Sequence, residues 1–336
     1  MRRELGKRGE TMNRRSFLKT SLSGLAAAPA LRFAGPQAGP EDGKTKIAIV
    51  KTQDRASGVK DAVRLLDPPS MRGKRVFLKP NFNTADPFPA GTHNGTLTAL
   101  VQEIKSRGAA DIALGERSGP PPTEKVMEDK GIFALSRELG FKVINFEDLG
   151  EDGWRHFNPP GNHWPEGFFA PRPLIEAEYI VATCCLKTHQ YGGVFTMSLK
   201  LAVGATPKKL MRDLHSSDQQ RRMIAEINTA YSPKLIVMDG LEVFVDGGPS
   251  TGRKVAGDVV VAGTDRVAVD AVGVAILKEL GSNDAIMGRK IFDQEQIARA
   301  AELGLGVSSP YQIELVTQDE TSRLYAEKLK AVLAEG

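Results

Sequence analysis

Short apolar runs alternate with segments of helical period along most of this chain. Lys46-Ile47-Ala48-Ile49-Val50 reads as a first strand, and residues 58–66 as a helix with Val59, Ala62, Val63 and Leu66 on one face. Residues 75–78 predict a second strand running into Lys79-Pro80-Asn81, where proline removes a ladder donor and restricts the residue before it. A long loop over 82–95, containing His93, precedes a helix over 96–106. Residues 111–114 form a third strand, 123–139 one helix and 142–146 a fourth strand. Residues 148–173 have no clear period and hold both tryptophans, which reads as a functional flap or a surface excursion.

The apolar run 179–182 predicts a strand that gives way to an irregular stretch over 183–205, with Lys187, His189, a Gly-Gly pair and Lys200. Helices follow over 207–214 and 218–230, and a strand over 235–238 is closed by Asp239-Gly240. A Gly-rich turn precedes a strand over 258–262, and Thr264 is read as capping a helix from 265 to 280, with Asp265 in its first turn. A helix over 293–303, a strand over 312–316 and a terminal helix complete the pattern. The expected fold class is α/β: a mostly parallel sheet with helices on both faces, as one sheet or as two packed α/β lobes.

The 336 residues, 41% hydrophobic, suffice for a sizeable core. The formal charge of +4 misleads, because residues 1–30 carry seven Lys/Arg against two Glu, and the rest of the chain is close to neutral. No electrostatic argument therefore favours a nucleic-acid partner. The two cysteines, Cys184 and Cys185, are adjacent, which disfavours a disulfide between them, and without CxxC spacing an iron–sulfur cluster is not expected. They either fill a buried strand end or form a redox thiol pair.

Asn13-Arg14-Arg15-Ser16-Phe17-Leu18-Lys19 resembles the twin-arginine export motif, and a modest apolar run and Ala28-Pro29-Ala30 follow it. The expectation is a signal peptide over 1–34 starting in effect at Met12, a linker over 35–44, a domain over 45–318 and a terminal helix over 319–336. The resemblance implies the twin-arginine export machinery as a partner and a periplasmic or otherwise exported address. The apolar run is too short to span a bilayer in the mature protein.

Polar groups sit at the ends of the predicted strands: Lys79 and Asn81, Glu116 and Ser118, Lys187 and His189, and Asp239. In an open parallel sheet such ends share one edge, where ligands bind. Lysines there suit an anionic ligand, or form strand-end salt bridges. His189 reads as an acid/base group, a metal ligand or a structural histidine. Glu116, Asp239 and Asp270 are candidate ligands for a divalent metal. Asp270 lies in an otherwise apolar helix and needs a partner: a lysine, a metal, or Arg266 one turn earlier. Lys200 has an apolar flank. Gly247 and Gly248 are candidate ligand contacts in a loop that otherwise reads as a plain turn.

Lys79-Pro80-Asn81, Gly115-Glu116 to Ser118-Gly119, Leu186-Lys187-Thr188-His189 and Ser198-Leu199-Lys200 before Gly204 resemble, in order, the family catalogued as domain of unknown function 362. Asp239-Gly240, the Gly-Gly-Pro turn, residues 263–270 and Gly304-Leu305-Gly306 complete the set. The resemblance implies export or a redox association, and marks the motif polar residues as functional positions. Some members carry ferredoxin-like cysteines, which are lacking here.

The resulting expectation is an exported protein with a cleft formed by Lys79, Lys187 and Lys200, with His189 as the acid/base group and Asn81 and Ser118 as ligand contacts. It is read as an enzyme acting on a small anionic metabolite by proton transfer or hydrolysis, with metal assistance open. The rivals are a periplasmic anion-binding protein and a redox protein using Cys184 and Cys185.

Overall fold

The computed structural model describes residues 43–336. The export motif, the cleavage pattern and nearly all of the linker lie outside the described residues. The described residues form eleven strands: β1 (Thr45–Lys51), β2 (Arg75–Lys79), β3 (Asp111–Glu116), β4 (Lys142–Asn145), β5 (Trp154–Phe157), β6 (Phe168–Pro171), β7 (Tyr179–His189), β8 (Val194–Thr196), β9 (Leu235–Gly247), β10 (Gly252–Gly263) and β11 (Ile313–Val316). Nine of them form one sheet in the order β11-β1-β10-β9-β7-β2-β3-β4, with β8 added on β7. The neighbours β9, β7, β2, β3 and β4 are mutually parallel, while β10 runs against both β1 and β9. The protein is thus an α/β fold with a mostly parallel sheet. One continuous sheet replaces the alternative of two lobes.

The strand period explains how helices cover both faces. Ala48, Val50, Leu78, Val181 and Val237 pack with the helices Arg55–Leu66 and Asn94–Ser106. Their sequence neighbours Ile47, Ile49, Ala182 and Met238 pack on the other face with Arg266–Glu279 and Glu320–Glu335. All eleven residues of β7 are buried, as a central parallel strand covered on both sides requires. Among the described residues, no helix is long and apolar enough to cross a membrane.

Local chemistry sets several boundaries that differ from the expected ones. The 123–139 segment is two helices, Thr123–Asp129 and Ile132–Leu139, separated at Gly131 with φ +69°. His93 caps Asn94–Ser106, its Nδ1 accepting from Gly95 N. Asp265 rather than Thr264 caps Arg266–Glu279, accepting from Val267 N and Ala268 N. The segment over 148–173 contains the antiparallel pair β5–β6, and its Trp164 is buried, with Nε1 donating to Met223 O at 3.1 Å. His163 from the same segment contacts the buried Glu226 on the helix Gln220–Ile227. The surface excursion is therefore a packing layer.

The largest departures lie where the site is built. Strand β7 continues through Lys187 and His189 instead of ending near Ala182, and β9 continues eight residues past Asp239. Strands β9 and β10 form a long ribbon whose tip carries Gly247, Gly248 and Pro249. At Gly248 (φ +69°) a side-chain Cβ would lie 2.0 Å from Thr188 O, so only glycine lets this tip rest on β7.

Candidate functional site

Strands β2, β3 and β7 run in parallel, so their last residues converge. The convergence encloses a chamber of about 40 Å³ lined by Asn81, Glu116, Arg117, Lys187, His189, Thr196 and Lys200, with Gly204 and Pro249 among its walls. It is continuous with an outer cleft of about 830 Å³, sharing Asn83, Arg117, His189, Lys200, Val203 and Pro249. The cleft adds Tyr191, Met211, His215 and Lys208, and Tyr191 is 64% exposed. The inner end is cationic and polar, and the outer end largely apolar.

Of the three lysines expected to form the site, one is committed elsewhere. Lys79 Nζ donates to Glu116 Oε1 at 2.6 Å and to Pro80 O at 2.9 Å, with both side chains buried. Glu116 also accepts from Phe82 N and Arg117 N, both at 2.9 Å. Burial lowers the Lys79 pKa and raises that of Glu116, while their mutual attraction opposes both shifts. The pair braces three segments. A Cβ on Gly204 would lie 2.2 Å from Glu116 Oε1, so the turn Lys200–Ala205 approaches the pair closely because residue 204 has no side chain.

Lys187 and Lys200 are different. Lys187 is fully buried, and its ammonium donates to Ala90 O and, at 3.1 Å, to Pro249 O. An ammonium has three donors, so one is left over. Burial pulls its pKa down to about 8. Lys200 is buried, and its Nζ has neither an acceptor nor an ion-pair partner among the described residues. Burial, with Lys187 and Arg117 nearby, pulls it down to about 7. Burial and the charges of Lys200, Lys187 and His215 hold His189 down at about 2, so its imidazole is neutral. Its Nδ1 is buried without a partner, as are Asn81 Oδ1 and Thr196 Oγ1. All three atoms belong to residues that line the chamber, and a buried polar group without a partner is costly.

Asp239 and Asp270 lie away from this chamber. Asp239 Oδ2 accepts from Arg55 Nε at 2.8 Å and from Thr96, and Oδ1 accepts from Leu241 N. Asp270 accepts from Ser198 N at 2.8 Å and Leu199 N at 3.0 Å, and burial raises its pKa to about 7. Its protein partner is therefore backbone and not a lysine or Arg266, whose guanidinium bonds Asn228 and Tyr231. Glu116, Asp239 and Asp270 are thus not brought together as cation ligands. Among the described residues, no group of three His, Cys, Asp or Glu could hold a metal ion.

Gly247 and Gly248 shape the ribbon tip and do not line the chamber; Pro249 does. Ser118 Oγ is buried and unpartnered, but Ser118 lines neither cavity. The cysteines are free and buried. Burial lifts the Cys185 thiol to about 11 and that of Cys184 well above its ordinary value, which suits packing and not thiolate chemistry. Sequence reasoning missed Asn83, Arg117, Thr196, Tyr191 and His215. Arg117 stood within a recognised motif, and its guanidinium donates to Thr206 O and Ser118 O, which joins β3 to the turn after Lys200.

Replacing Asp270 by alanine strands two buried backbone donors beneath the Lys200 turn. We expect Asp270→Ala to lose about 2–5 kcal/mol of unfolding free energy in a urea titration. Wild-type stability in that variant would contradict the anchoring role.

Comparison with known proteins places the chain. No curated protein matches its sequence. Among solved structures it is similar to the lactate racemase apoprotein from Thermoanaerobacterium thermosaccharolyticum, at 13% identity over 86% of this chain and 87% of that one, with a TM-score of 0.41. It is also similar to a protein from Thermotoga maritima, at 14% identity over 56% of this chain and 50% of that one, with a TM-score of 0.37. Both likenesses are shallow and concern the fold alone. Residues 76–275 match the family described as domain of unknown function (DUF362). That span runs from β2 to the helix Arg266–Glu279 and holds every residue of the chamber, and the chain belongs to this family.

Proposed function

We propose that the chamber binds the anionic group of a small organic acid, and that the protein is an enzyme acting on that acid by proton transfer. The observation that carries this reading is the pairing of Lys187 and Lys200 beside neutral His189, with the chamber's one carboxylate, Glu116, already held by Lys79. A buried cation without a counter-ion is costly, and an incoming carboxylate supplies one. Proton transfer follows from the same groups: an amine with a pKa of about 7 exchanges protons readily near neutral pH. The apolar outer cleft would take the substituent of the acid. The carboxylates first considered as metal ligands are occupied by other partners, so the reading rests on the lysines.

A second reading, an anion-binding protein without turnover, is favoured by one observation: among the described residues no unpaired carboxylate lines the chamber to serve as a base. Exchange of substrate carbon-bound hydrogen with deuterated water separates the two, since only the enzyme produces it.

Anion binding should take up protons, because a bound negative charge raises the pKa of both lysines. Groups facing Lys200 are Lys187, Arg117, His189 and His215. The lysines lose charge as pH rises through about 7 and about 8, so affinity should fall over that window. Calorimetric titration with α-ketobutyrate, phenylpyruvate and inorganic phosphate should show this trend. Lys187→Met should weaken binding by about tenfold to a hundredfold, the worth of a charge-assisted hydrogen bond. Binding that is independent of pH and of Lys187 would sink the reading.

We also infer export through the twin-arginine pathway from Arg14-Arg15 and the residues after it. Wild-type protein should reach the periplasm of its host, while Arg14→Lys with Arg15→Lys should stay in the cytoplasm. Equal export of both would dismiss it.

A further inference from the structure

We propose that Lys200 is an amine nucleophile that forms an imine with an α-keto acid whose carboxylate rests on Lys187. The proposal deepens the anion-site reading above and depends on it.

The three lysines differ in what they would give up to act as a nucleophile. Lys79 is held by Glu116 and Pro80. Lys187 would weaken its bonds to Ala90 O and Pro249 O on losing its charge. Lys200 gives up nothing, since its Nζ has no partner among the described residues. Its low basicity near Lys187 and Arg117 keeps a share of it as free amine at neutral pH, while Lys187 stays largely charged.

The surroundings supply the other parts. A Cβ built on Gly193 would lie 2.7 Å from Lys200 Cε and 3.0 Å from His189 Nδ1, so the amine stem and the imidazole flank one point. Thr196 Oγ1 and Asn81 Oδ1 are unpartnered in the same chamber, free to bond the hydroxyl of an adduct. Tyr191 and Met211 lie along the cleft that the substituent of the keto acid would follow.

The step balances without any redox partner. The amine lone pair forms the N–C bond, and the carbonyl π pair moves to oxygen, which takes one proton from the nitrogen. A second proton from solvent lets that oxygen leave as water when the C–O bond breaks, and a protonated imine remains. The imine would act as the electron sink for proton loss from the adjacent carbon.

The test is borohydride trapping on the full-length protein with α-ketobutyrate and with phenylpyruvate, followed by intact mass and peptide mapping. The expected result is one adduct, equal in mass to the keto acid less one oxygen, on the peptide carrying Lys200. It should be lost in Lys200→Arg and persist in the surface variant Lys125→Arg. Mapping in the wild type makes the result independent of how the variants fold. An adduct on Lys187 or spread over surface lysines would overturn the proposal. Calorimetric binding of the same acids without an adduct would overturn the imine and leave the anion site standing. Absence of both binding and adduct would overturn the two together.

Discussion

Two lysines face one small chamber in which no carboxylate of the described residues is free to neutralise them, and the rest of the site is arranged around that imbalance. Burial costs a charged amine several units of basicity, so such a pair persists only where the surrounding fold holds it rigidly. Here each wall of the chamber has its own anchor. The Lys79–Glu116 pair fixes the ends of β2 and β3, Asp270 fixes the backbone before Lys200, and the ribbon tip carrying Pro249 presses on β7. These anchors occupy two carboxylates near the lysines, Glu116 with Lys79 and Asp270 with backbone donors. The result is a pocket held ready for an anion.

This division of labour separates groups of similar chemistry. Glu116, Asp239 and Asp270 are all buried carboxylates, yet each satisfies a different part of the scaffold. Lys79, Lys187 and Lys200 are all buried lysines, with two, two and no acceptors respectively among the described residues. Residue type alone does not assign the role. The number of hydrogen-bond partners left unmet does, because an unmet buried group must be satisfied by something from outside.

Much of this was readable before any coordinates. Alternating apolar runs and helical periods specify an α/β sheet, and the rule that parallel strand ends share an edge places Glu116, Lys187 and His189 around one chamber, with Lys79 bonded to Glu116 behind it and Asp239 outside it. The failures have physical causes. Strand β7 looked as if it ended near Ala182 because the polar Lys187 and His189 and the Gly-Gly pair after them read as an irregular stretch, but burial on both faces carries the strand through to His189. Asp239 looked like a strand terminus because Asp-Gly usually marks a turn, yet Arg55 and Thr96 satisfy its carboxylate within β9. Thr196 and Tyr191 carry no sequence signal, since their place depends on β8 folding back along β7.

The site depends on Lys200 being buried without a counter-charge among the described residues. The most direct measurement is an NMR titration of protein with isotopically labelled lysine side chains, with Lys200→Arg used to assign the resonance. The account predicts that Lys200 titrates near its lowered value of about 7 and moves upward when a small carboxylate is added. A Lys200 that titrates at its ordinary value of 10.5, unmoved by any anion, would contradict it.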